Sequence, residues 1–142
     1  MAERARKRGR DGARRVPAAA RERVREFALE LPGAAEDFPW GQSVVKVNRK
    51  IFVFLGPEDG DGPPGITVKL TDPQAHEHAM SVPGAVPTGY GLGRAGWVSV
   101  PLGAAGDGAP SAELLCDWTE ESYRTVAPKR LVAELDAGRP AG

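Results

Sequence analysis

An α+β fold, an antiparallel sheet packed against helices, is what the chain predicts, and three observations carry that reading. Apolar residues recur at helical spacing near both ends of the sequence. Between them, three short segments of strand character follow one another closely, which favours an antiparallel meander. A capped helix start then separates that run from a fourth strand-like segment, so the order is helix, three strands, helix, strand, helix rather than alternating βαβ units. At 142 residues the chain suffices for one hydrophobic core and not for two of ordinary size.

The first helix starts near Pro17, a residue suited to a first helical position. Val24, Phe27, Ala28 and Leu31 share one stripe at i, i+3, i+4 and i+7, and Pro32-Gly33 ends the helix. An aperiodic linker containing Pro39-Trp40-Gly41 follows. Ser43–Asn48 alternates, with Lys46 facing away from Val45 and Val47, and Asn48-Arg49-Lys50 forms a tight turn. Ile51–Leu55 is apolar on both faces and reads as a central strand. Gly56–Gly65 is a loop by composition, and Ile66–Leu70 alternates again, with Thr67 and Lys69 on the second face. Thr71 or Asp72 caps a short helix that opens on Pro73 and ends near Pro83-Gly84. A glycine-rich stretch, Ala85–Gly96, leads to a strand at Trp97–Leu102, and Gly103–Pro110 is a loop. Ser111 caps a last helix carrying Leu114, Leu115, Trp118, Ser122 and Val126. Pro128 ends or restarts it, and Leu131, Val132 and Leu135 extend the apolar face.

The formal net charge of zero conceals a division. Residues 1–25 hold ten Arg/Lys against three Asp/Glu, and the remainder holds nine against sixteen. Residues 1–16 lack apolar periodicity and read as a disordered arginine-rich tail, 17–137 as the folded domain and 138–142 as a flexible C-terminus. Such a tail suits contact with polyanions, or is a solvated extension or a start codon assigned too far upstream. A lone cysteine, Cys116, excludes an internal disulfide and fits a reducing cytoplasm. No apolar run approaches the ~20 residues that span a bilayer, and no signal region opens the chain. A monomer without membrane attachment is the default.

Candidate chemistry is sparse. Gly91-Leu92-Gly93-Arg94-Ala95-Gly96 matches the GxGxxG string but precedes a strand, whereas phosphate binding needs it to open a helix. His76 and His78 are two apart on a helix and cannot share a metal ion, and Cys116 has no thiol partner, so no metal site and no cofactor are expected. Glu36-Asp37 reads as a solvated turn or as an acid/base pair with raised pKa values near Trp40. No nucleophile–base set can be assembled, and a catalytic role is not expected. What remains is a set of bases in or beside strands: Lys46, Arg49, Lys50, Lys69 and Arg94. They suit a sheet or wing resting on phosphates, and equally an ordinary solvent-facing sheet. Trp40, Tyr90 and Trp97 suit an apolar cleft for a small ligand or protein partner, or packing at the rim of the core.

From about Arg25 to Leu135 the chain resembles the YjbR/MmcQ family of small bacterial proteins. Five markers occur in order: Leu31-Pro32-Gly33 with Glu36-Asp37-Phe38-Pro39-Trp40-Gly41; Lys46-Val47-Asn48-Arg49-Lys50-Ile51-Phe52; Val68-Lys69-Leu70 before an Asp-Pro helix start; Pro87-x-x-Tyr90 with Trp97; and Glu121-Ser122-Tyr123. The resemblance implies a CyaY-like two-layer sandwich. It also implies duplex-DNA binding through two strand-loop wings, with Lys46 and Lys50 flanking the first and Arg94 in the second. Many relatives carry Asn-Lys-x-His-Trp at the second wing. Gly93-Arg94-Ala95-Gly96-Trp97 lacks one of those bases and the histidine, which weakens the likeness there. Iron binding of the frataxin kind would need an acidic first helix, and this one carries Arg21, Arg23 and Arg25 among its acids.

Overall fold

The computed structural model describes residues 19–57, 65–89, 92–102 and 110–138. The expected tail, the centre of the Gly56–Gly65 loop, Tyr90 and Gly91, most of the Gly103–Pro110 loop and the last four residues lie outside them. Helix α1 spans residues 19–30, and β1 is Ala34–Asp37. The strands β2 (Gln42–Val47), β3 (Lys50–Pro57) and β4 (Gly65–Lys69) follow, then α2 (Pro73–Met80). A two-residue strand β5 (Val86–Pro87) and β6 (Trp97–Pro101) come next, then α3 (Ala112–Val126) and α4 (Lys129–Ala137). All pairs are antiparallel and the sheet order is β1-β2-β3-β4-β6-β5.

One expectation on elements is corrected and one alternative is decided. The region before Pro39 is not all linker, because Ala34–Asp37 pairs with Val44–Val47 as an edge strand. At Pro128 the helix restarts: α3 and α4 are separate helices, broken where Pro128 cannot donate the backbone bond that would continue the first. The caps agree with the sequence reading. Asp72 accepts from the Ala75 N–H at 2.9 Å, and Ser111 accepts from the Leu114 N–H at 3.1 Å.

The core lies between one face of the sheet and the helices. Val24 and Ala28 of α1, with Leu31 just after it, meet Val45, Val53, Leu55, Ile66, Val68, Val98 and Val100 of the sheet and Leu115, Trp118 and Tyr123 of α3. Irregularities in the β2–β3 pairing shape this face. Val45 pairs with Val53 but Lys46 pairs with Ile51, so Phe52 is an extra residue on β3. Phe52 therefore turns toward the helices beside Val53 and meets the Tyr123 ring edge-on at 5.3 Å. A polar tie secures α3 to the sheet. The Ser122 hydroxyl accepts from the Lys69 N–H at 2.8 Å and donates to the Phe52 carbonyl. Val53 pairs with Val68 and Phe54 with Thr67, so the serine occupies the next rung of the β3–β4 ladder.

Candidate nucleic-acid interface

Directly opposed residues of a sheet share a face. One such row crosses all six strands: Asp37, Val44, Phe54, Thr67, Ser99 and Val86. Its neighbours toward one end are Lys46 with Ile51, and Lys69 with Trp97. Val44 and Trp97 are buried yet stand outside the core cluster, as expected of the face turned from the helices. Lys46 and Lys69 thus lie on this open face, on β2 and β4 with β3 between them, their backbones roughly 10 Å apart.

The topology also brings the two turns to one end of the sheet. β3 begins at the Asn48-Arg49 turn, β4 runs back toward it to end at Lys69, and β6 starts there at Trp97. A 3-10 turn, Leu92–Ala95, immediately precedes Trp97 and carries Arg94. That turn is fixed from behind. Gly96 accepts from the Leu70 N–H at 2.8 Å with φ of 100°, and a Cβ there would stand 2.9 Å from the Leu70 carbonyl oxygen. The described part of the GxGxxG string, from Leu92 on, therefore forms a short turn before a strand rather than opening an α-helix.

Asn48 and Arg49 both have positive φ, 50° and 69°, the requirement of a two-residue hairpin turn matched to strand twist. Arg49 and Lys50 are exposed there, and Arg94 is exposed in its own turn. None of Arg49, Lys50, Lys69 and Arg94 joins an ion pair among the described residues. Lys46 differs, because Asp37 holds its ammonium at 2.7 Å across β1 and β2 and offsets its charge. Pro57 and Gly65, which bound the acid-bearing residues 58–64, stand at the other end of the sheet.

Glu36 and Asp37 are not a pair with raised pKa values. They point to opposite faces of β1. Arg25 of α1 bonds Glu36 twice, at 2.9 and 2.7 Å, and with the Ser43 hydroxyl it holds the carboxyl below its usual range against the effect of burial. Lys46 and the Phe38 N–H hold Asp37 below its usual range. Trp40 and Trp97 do not share a cleft. Trp40 is 91% exposed with φ of 53°, in the turn between β1 and β2 at the end away from Arg49. Trp97 is 8% exposed and packs edge-on against Phe54 at 5.4 Å. The open face instead carries a cleft of about 360 Å³, lined by Phe54, Thr67, Ser99, Gln42, Thr88 and Leu92 among others. Polar lining of this kind was not legible beforehand, since Thr67 and Ser99 come together only through the β4–β6 pairing.

His78 packs its ring against Trp118 at 5.4 Å, and Cys116 is buried, which pushes its thiol pKa up. Among the described residues no cluster of three His, Cys, Asp or Glu has the arrangement to hold a metal ion. No described helix is long and apolar enough to cross a membrane.

The family model described as YjbR matches residues 29–125. A crystal structure of the Deinococcus radiodurans protein DR2400, described with the domain DUF419, is 27% identical and superposes with a TM-score of 0.60. The match covers 80% of this chain and 85% of that one. The comparison with curated proteins found no match.

Proposed function

The chain belongs to the YjbR family, and from that premise we propose that it is a nucleic-acid-binding protein that seats duplex DNA on the wing end of its sheet. The single observation that carries the reading is that the Asn48-Arg49 turn and the Leu92–Ala95 turn share one end of the sheet. Around them Arg49, Lys50, Lys69 and Arg94 have no acidic partner among the described residues. Bases without an internal counter-ion are free to replace the counter-ions of phosphates, and two turns side by side can follow a backbone or enter a groove. Lys46 contributes less, because Asp37 already neutralises it. The reading is one of binding and not of catalysis, by a monomer in the cytoplasm, with contacts mainly to phosphates and shallow sequence preference.

The test is fluorescence anisotropy with labelled duplex DNA at low salt, comparing the full chain with the triple variant Arg49→Ala, Lys50→Ala, Arg94→Ala. Wild-type binding at micromolar Kd or weaker, reduced at least about tenfold in the variant, is the expected result. Equal affinity of the two proteins would remove the wings from the interface, and no binding by either would remove the function.

A further inference from the structure

We propose that the cleft on the open face binds one unpaired nucleotide, its base in the cleft and its phosphate on Lys69 and Arg94. This deepens the nucleic-acid reading and rests on it. The cleft is at the lower end of the size range of small-molecule sites, and among the described residues no charged side chain lines it, which suits a ligand whose entering part is small and neutral. Its polar lining includes Gln42 and a chain of hydroxyls. Ser99 Oγ lies 3.2 Å from Thr67 Oγ1 and 3.0 Å from Thr88 Oγ1. Three hydroxyls joined by two hydrogen bonds keep one hydrogen and several lone pairs for a guest, which suits the mixed donor and acceptor edge of a base. Phe54 supplies an aromatic wall.

The anion site adjoins this cleft. Lys69 follows Thr67 by two residues on the same strand face, roughly 7 Å along β4, and Arg94 follows the lining residue Leu92 by two. A ligand that is flat and neutral at one end and anionic a few ångströms away matches this spacing, and a nucleotide has that form. Paired bases are stacked inside a duplex and cannot enter, so the partner is a strand with a free end or overhang, or a free mononucleotide.

The experiment follows backbone amide shifts of the labelled full chain. The probes are a blunt duplex, the same duplex with a short dA overhang, deoxyadenosine monophosphate, and inorganic phosphate. The overhang duplex is expected to bind at least about fivefold more tightly than the blunt one. It and the mononucleotide move the amides of Thr67, Thr88 and Ser99, while inorganic phosphate moves Lys69 and Arg94 alone. Ser99→Ala and Thr67→Val each remove the overhang preference and leave blunt-duplex affinity unchanged. Equal affinity for both duplexes with unmoved cleft amides overturns this inference and leaves duplex binding standing. Movement of the cleft amides by the mononucleotide, with no binding of either duplex, overturns the DNA reading and keeps the nucleotide site.

Discussion

Ser122 joins the helix layer to the sheet through two backbone groups, the Lys69 N–H and the Phe52 carbonyl. It is fully buried, so its removal leaves both groups without a partner unless the strands close around the gap. Ser122→Ala is expected to lower stability by about 1–3 kcal/mol in urea unfolding; a change under about 0.5 kcal/mol would mean that the ladder simply closes. The signal was present in the sequence as a serine on the apolar stripe of a helix, but its partners lie 53 and 70 residues away. Glu36 shows the same limit. Its partner Arg25 lies 11 residues away and reaches it only because β1 exists, so neither a solvated turn nor an acid/base pair with raised pKa values describes Glu36-Asp37, and both carboxyls are shifted down instead. With the folded pKa of Glu36 depressed, its contribution is fully present above the unfolded carboxyl value of about 4.3 and is lost as pH falls through the folded value. Glu36→Gln is therefore expected to destabilise the protein near neutral pH, with the gap to wild type narrowing below about pH 4. A gap constant across an acid titration of stability would remove the Arg25–Glu36 pair as its cause.

At the scale of elements, the strands that alternate or carry β-branched runs were legible, and β1 was not. Ala34–Asp37 holds two alanines and two acids, which have low strand preference, and it pairs on one side only. Its formation depends on tertiary partners: the β2 ladder, Arg25 for Glu36 and Lys46 for Asp37. The β2–β3 hairpin was legible as a turn, but its geometry sets a conflict that the sequence did not disclose. Arg49 holds φ of 69°, a left-handed conformation that glycine adopts without the penalty borne by other L residues. An arginine there sacrifices stability for a positive charge at the hairpin tip. Arg49→Gly is expected to raise stability by about 1 kcal/mol and to weaken DNA binding, a separation that ordinary damage to the fold cannot produce. Thermal unfolding and anisotropy on the same preparation check it, and a variant that loses stability would contradict the turn assignment.

The molecule as a whole has two positive elements, and their relation depends on topology. That the Arg49 and Arg94 turns share an end follows from the order β3-β4-β6, which no local pattern reveals. The same order locates the start of α1. Arg21 donates to the carbonyls of Leu55 and Pro57, at 2.9 Å to the latter, so α1 begins at the end of β3 away from the hairpin. β3 runs from Lys50 to Pro57, so roughly 20 Å of strand separates that point from the wings. The first described residues of the chain therefore stand at the end opposite the proposed interface, and the electrostatic contributions of residues 1–16 and of the wings are expected to be separable by substitution. Replacing Arg4, Arg6, Lys7, Arg8, Arg10, Arg14 and Arg15 by glutamine removes the first and leaves the second, Arg49, Lys50, Lys69 and Arg94, which join no ion pair among the described residues. Four phosphate contacts correspond to a log–log salt slope of about −3.6 at most. The substituted chain is expected to bind duplex DNA with a slope of about −2 to −3.6, and the unmodified chain with a steeper one, measured by anisotropy across a salt series. If the substituted chain loses all affinity, the positive tail carries the binding alone and the wings make no phosphate contacts. If the two slopes coincide, the tail takes no part.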